Sequence, residues 1–147
     1  MQLLAISDLH LSQTSNKEAL IKMADHRDDW LIIGGDTSEK PELHEFAFKE
    51  LSKRFGRLIW VPGNHDLWTF DSKSKYAKRG VEKYNMLVEI ARSFGVITPE
   101  DPFLEWPVKS GNDAESLFIA PLFLLYDYSF RPKSVDRNNV KNWVREV

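Results

Sequence analysis

Three short apolar runs constrain this chain more than any other feature: Gln2 to Ser7, Trp30-Leu31-Ile32-Ile33 and Leu58-Ile59-Trp60-Val61. They are continuous, not alternating, which is how strands buried on both faces read when crossover helices cover them. The intervening segments carry helical periodicity. Ser15-Asn16-Lys17-Glu18 has capping-box spacing, and Ala19, Leu20, Met23 and Ala24 then share one face. Pro41 suits a first helical turn. Leu43, Phe46, Ala47, Leu51 and Phe55 form the second stripe, with Gly56 as its expected stop. Three buried strands separated by two helices predict an α/β fold on a parallel βαβαβ core.

Beyond this core, Asp66 to Gly80 is polar and irregular. A third helix is expected over Val81 to Phe94, with Tyr84, Leu87, Val88, Ala91 and Phe94 inward and Gly95 closing it. Val96-Ile97 suits a short strand. Phe103 to Val108 and Ser116 to Ala120 read as strands flanking the turn Lys109 to Asp113. A last helix begins near Asn138, with Val140, Trp143, Val144 and Val147 on one face.

The chain of 147 residues is long enough for one domain, and 42% apolar against 29% charged residues excludes disorder. A net charge of -2 leaves no global basic field, so a nucleic-acid partner is open but not indicated by charge. The absence of cysteine excludes disulfides, thiolate metal sites and a cysteine nucleophile, and fits a reducing, cytoplasmic setting. No signal peptide is visible, and no apolar run approaches the ~18 residues of a membrane helix.

Each buried strand ends in residues able to bind metal. The first leads into Asp8-Leu9-His10, the second into Gly34-Gly35-Asp36, the third into Gly63-Asn64-His65-Asp66. Asp8, Asp36 and Asn64 follow one another at intervals of 28 positions, one βα unit each time. In a parallel sheet the carboxyl ends of the strands lie on one edge, where ligands bind. Asp8, His10, Asp36, Asn64 and His65 should therefore converge. Alone, each motif also reads as ordinary turn chemistry; the signal is their joint occurrence at successive strand ends.

With these three motifs the sequence resembles the calcineurin-like metallophosphoesterases, whose opening pattern is Asp-x-His, then Gly-Asp, then Gly-Asn-His-Asp/Glu. The resemblance rests on residues 1 to 66. It implies the N-terminal part of a four-layer α/β/β/α sandwich. It implies a phosphate mono- or diesterase using two divalent metal ions (Mn, Fe, Zn or Ni). By resemblance Asp8 and His10 bind the first metal, Asp36 bridges both and Asn64 binds the second. His65 stands beside the phosphate as general acid or charge stabiliser, and Asp66 orients it. Two cations about 3.5–4 Å apart neutralise the ester's charge and lower the pKa of a bound water toward about 7. Oxygen and imidazole donors suit any of those metals.

The family continues to Gly-His and Gly-His-x-His elements that complete both metal sites. Here the histidines are His10, His26, His44 and His65, so those elements are absent. His26 and His44 fall in expected helices and are assigned surface or packing roles. The last helical stripe still runs at Val147. The chain is therefore expected to be one domain, 1 to 147, truncated at its C-terminus, with an uncovered sheet face that promotes association. An inactive metallophosphoesterase-like scaffold is the alternative function. A Rossmann-type nucleotide binder is disfavoured, because no Gly-x-Gly-x-x-Gly follows the first strand. Asp71 to Lys83, with Lys73, Lys75, Lys78, Arg79 and Lys83, reads as a solvated loop or, in a functional version, a basic flap in which Trp68, Phe70 or Tyr76 stacks on substrate. Arg131 is a further candidate phosphate ligand.

Overall fold

The computed structural model describes residues 1–70, 77–107, 116–124 and 131–146. The flap residues Lys73, Lys75 and Tyr76, the turn 109–113, the aromatics Tyr126, Tyr128 and Phe130, and Val147 lie outside the described residues.

The core is a parallel sheet of β1 (Leu3–Ile6), β2 (His26–Ile33) and β3 (Phe55–Trp60), in the order β1-β2-β3. Between them run α1 (Thr14–Ile21) and α2 (Pro41–Leu51). The expected βαβαβ unit is thus present. Ile97 extends the sheet past β3: Ile97 N–H donates to the Leu58 carbonyl at 3.0 Å, and Trp60 N–H donates to the Ile97 carbonyl at 2.8 Å. After β3 come a one-turn α3 (Asn64–Leu67) and the longer α4 (Gly80–Ser93). β4 (Leu104–Trp106) and β5 (Leu117–Ile119) form a separate antiparallel pair, and α5 (Val140–Glu146) follows a 3-10 turn.

Register decides what is buried. Leu4, Leu31 and Leu58 stand side by side, as do Ile6, Ile33 and Trp60. These six side chains face Leu20 of α1, Ala47, Phe48 and Leu51 of α2, and Leu87, Val88 and Ala91 of α4 in one cluster. Strands added in one direction by right-handed crossovers put every helix on the same face. The opposite face carries Leu3, Trp30 and Arg57, then Ala5, Ile32 and Ile59. It is covered in part: the Trp106 ring of β4 meets the Trp30 ring edge-on at 5.0 Å, and the Arg57 guanidinium lies over Trp30. Leu3 remains 36% exposed.

Several local expectations shift. α1 starts at Thr14 after Gln13, with no side-chain cap. Ser15 instead bonds Asn16, so the capping-box pattern is not used. Phe55 and Gly56 leave the α2 stripe and open β3, where Phe55 pairs with His26. Gly56 is there for space: a Cβ would stand 2.4 Å from the Arg27 carbonyl oxygen. His26 is accordingly a strand residue, its ring stacked on Phe55 at 5.2 Å. Arg131 donates from Nε to the Val135 carbonyl.

A turn closed by Asp101 follows the Ile97 bridge at the sheet's edge. Its Oδ2 accepts from the N–H and hydroxyl of buried Thr98, at 2.8 and 2.6 Å, and its Oδ1 accepts from Arg92. Burial pushes this carboxyl up, but the Thr98 and Arg92 hydrogen bonds outweigh it and hold the group below its usual 3.8. A lowered folded pKa contributes stability above the unfolded value that is lost as pH falls through the folded one. Asp101→Asn therefore costs about 1–2 kcal/mol at neutral pH in urea unfolding, and the gap to wild type closes in acid, below 3.8.

Candidate metal centre

The strand ends meet through their backbones. Beyond β1 the chain runs beside the chain beyond β2: Asp8 N–H donates to the Gly35 carbonyl at 3.1 Å, His10 N–H to Asp36 at 2.9 Å and Leu11 N–H to Thr37 at 2.9 Å. To make these bonds Asp8, His10 and Asp36 take left-handed backbones, with φ of 57°, 41° and 53°. Such conformations cost non-glycine residues roughly 1–3 kcal/mol each and concentrate at functional sites. They turn three side chains to one place. Asp8, His10 and Asp36 each offer a donor atom, all within 4.8 Å of one another.

Two glycines make this approach possible. Gly35 has φ of 85°, and a Cβ on it would stand 2.3 Å from the Gly63 nitrogen. A Cβ on Gly63 would lie 2.1 Å from Asp36 Oδ1. The Asp36 carboxylate thus rests on the bare Cα of Gly63, where the same oxygen accepts the His65 N–H at 3.0 Å. This explains why glycine precedes the acid in the second motif and opens the third. Carboxylate and imidazole donors in this cradle fit a divalent cation.

Asn64, the first residue of α3, is exposed and lines a cleft of about 560 Å³ with Pro62, Leu67, Trp68 and Leu122 to Leu124. His65 stands at the same edge, its ring 4.9 Å from the His10 ring. All five expected site residues therefore belong to the adjoining ends of the three strands.

Asp66 does something other than orient the His65 ring. It is fully buried. Its Oδ2 accepts N–H groups from Gly63 at 2.8 Å and Asp36 at 3.0 Å, and its Oδ1 accepts from Ser38 at 3.1 Å. The remaining partner is His44, with Nε2 at 2.9 Å from Oδ1 and Nδ1 on the Lys40 carbonyl. His44 is thus a packing residue of α2, as expected, but one that also holds the carboxylate beneath the site.

The His65 ring is oriented by Glu39, whose Oε1 lies 2.7 Å from Nδ1. Burial pushes the Glu39 carboxyl up, while hydrogen bonds from His65, its own N–H and the Ser12 hydroxyl outweigh that and leave it lowered. With Nδ1 committed to Glu39, Nε2 is the ring atom left for chemistry. His10, Glu39 and His65 also offer donor atoms within 4.8 Å of one another. Sequence reading missed Glu39, although an acid three residues after Asp36 at the same strand end was the available signal. It also missed Lys83, counted with the solvated loop. Lys83 is 1% exposed, and its Nζ donates to the carbonyls of Glu39, at 2.8 Å, and Trp68. Burial lowers its pKa, opposed by the charges of Asp66, Glu39 and Glu42.

Fold and site together define an α/β domain with a candidate metal site at its strand ends. Residues 1–146 match the calcineurin-like phosphoesterase family, and the chain belongs to that family. It is 40% identical over 133 residues to the acyl-carrier-protein phosphodiesterase PptH of Mycobacterium tuberculosis, covering 90% of this chain and 40% of that protein. The crystal structure of phosphopantetheinyl hydrolase (PptH) from Mycobacterium tuberculosis superposes with a TM-score of 0.85 at 37% identity, over 99% of this chain and 50% of that one. The chain thus spans half or less of the relatives it matches. Among the described residues no helix is long and apolar enough to cross a membrane.

Because Gly63 supports the Asp36 carboxylate directly, Gly63→Ala weakens Mn²⁺ binding by on the order of 10- to 100-fold, read by isothermal titration, with far-UV circular dichroism unchanged. Asp66→Ala leaves His44 Nε2 and three N–H groups without their carboxylate partner. It lowers unfolding free energy by about 3–5 kcal/mol in a denaturant titration.

Proposed function

We propose that this chain carries one side of a two-metal centre for hydrolysis of a phosphodiester. The observation that carries the reading is the convergence of Asp8, His10 and Asp36 beside the Glu39–His65 pair. In this reading Asp8 and His10 hold one cation, Asp36 bridges to the second and Asn64 offers its amide oxygen to that second ion. The ions, when bound, supply charge neutralisation at the phosphate and an activated water. In this reading the remaining donors to the second ion come from residues other than these four.

Protonated at Nε2 as well as at Nδ1, His65 serves as proton donor to the leaving oxygen or as a charge stabiliser. Glu39 fixes the ring through Nδ1. Diesters are preferred to monoesters on the strength of the PptH relative, which is named for a phosphodiester bond on acyl carrier protein. We extend that substrate class, a phosphopantetheinyl group on a carrier protein, to this chain. The apolar side chains of the cleft beside Asn64 suit the pantetheine arm better than a bare inorganic phosphate.

In the full-length protein with Mn²⁺, Asp36→Asn abolishes turnover of bis(p-nitrophenyl) phosphate and reduces metal content measured by inductively coupled plasma mass spectrometry. Glu39→Gln retains metal and lowers kcat by roughly 10- to 100-fold. Undiminished turnover by Asp36→Asn would remove the bridging assignment. Absence of both turnover and metal in the wild type would favour the scaffold alternative.

A further inference from the structure

Lys83 stands where local rules disfavour it. It lies at the end of the first turn of α4, which begins at Gly80. Cations there oppose the helix dipole. It is also 1% exposed, and burying an ammonium costs several kcal/mol unless good partners compensate. An apolar side chain of similar length would meet neither penalty. Departures of this kind are expected at functional sites.

Its partners show what it holds. Nζ donates to the carbonyl of Glu39 at 2.8 Å and to the carbonyl of Trp68. Those two residues grip the His65 ring from different sides. The Glu39 carboxylate takes Nδ1 at 2.7 Å, and the Trp68 ring lies against the imidazole with centroids 3.9 Å apart, tilted by 42°. One residue follows β2 and the other follows α3, and no direct backbone bond between them appears among the described residues. The ammonium ties these two residues directly, next to the Ser38 N–H bond to Asp66 that joins the same two turns. A carbonyl accepts without regard to the rotamer of its own side chain, so the tie fixes both backbones and leaves the two side chains free to meet the ring.

We propose that Lys83 is the positioning residue for His65: by joining the backbones of Glu39 and Trp68 it sets the angle at which the imidazole faces the metal edge. The catalytic consequence rests on the role given to His65 above; the geometric claim does not.

The test uses the full-length protein and three variants, Lys83→Met, Lys83→Arg and Glu39→Gln. Long-range ¹H–¹⁵N spectra of the His65 ring are recorded before and after adding Zn²⁺. In the wild type the ring protons are displaced by the Trp68 ring current, and Nδ1 carries the proton shared with Glu39. Lys83→Met is expected to move both signals toward the positions they take in Glu39→Gln, while Lys83→Arg stays near wild type. Wild-type His65 signals in folded Lys83→Met would overturn the proposal. If Lys83→Met does not fold, Lys83→Gln carries the same comparison, since its shorter side chain reaches at most one of the two carbonyls.

A double-mutant cycle supplies the kinetic arm. With Mn²⁺ and an aryl phosphodiester, Lys83→Met lowers kcat on the order of 10- to 100-fold with KM unchanged. It lowers kcat no further in a His65→Gln background. An equal loss in both backgrounds would mean a merely structural lysine and would overturn the proposal. If His65→Gln alone keeps full kcat, the catalytic assignment of His65 fails, and the ring spectra still decide whether Lys83 sets its orientation.

Discussion

The site depends on one buried carboxylate. Asp66 gathers the N–H groups of Gly63, Asp36 and Ser38 onto two oxygen atoms that never meet solvent. Those donors come from the turns after β2 and β3, which the sheet alone does not hold together: strand pairing ends at Ile33 and Trp60, with one further bond from Val61 to Ile33. Past that point the chains would diverge into loops. Asp66 replaces the missing ladder with an acceptor, and His44 fixes that acceptor from α2. The metal edge is therefore anchored from beneath by polar groups as well as by the buried side chains of Leu9 and Leu11, and the polar groups give direction as well as attachment.

Above this anchor lies a second level, the contacts that orient His65. Its backbone N–H is held by Asp36 and its ring by Glu39 and Trp68. The histidine is thus read out by all the layers below it. Asp36 is placed by Asp66, and Glu39 and Trp68 share a single ammonium. A displacement anywhere in this stack ends at the imidazole.

The parts visible in the sequence were those governed by period and by strand ends. Leu31, Ile33, Leu58 and Trp60 were readable as core because parallel strands write continuous apolar runs. Asp8, His10 and Asp36 were readable because the sheet's topology fixes where such residues must go. The start of β3 was not, because Phe55 continues the helical spacing of α2, and only its pairing with His26 decides the matter. The burial of Lys83 and the carboxylate partner of His44 were not readable for a different reason. A charged or polar residue on an amphipathic helix looks solvated until its partners are known, and the partners here are a carboxylate and two backbone carbonyls from distant segments. The Asp66 role was missed likewise: proximity in sequence suggested His65, while the geometry of a one-turn helix aims the N3 carboxylate back at Gly63.

This arrangement also answers an electrostatic difficulty. Asp8 and Asp36 present carboxylate oxygens within 4.8 Å of each other, and like charges at that separation repel appreciably near a protein surface. A flexible loop would relax by turning one of them away. Here the backbone bonds from Asp8 to Gly35 and from His10 to Asp36 fix the direction in which the left-handed residues send their side chains, and the Asp36 oxygen is held by the His65 N–H over Gly63. The repulsion and the backbone strain are both borne by the folded chain, and a divalent cation relieves the first without requiring the second to change. Donors held in place before binding lose little freedom when they bind. The cost of assembling the centre thus falls largely on folding, through the anchor beneath.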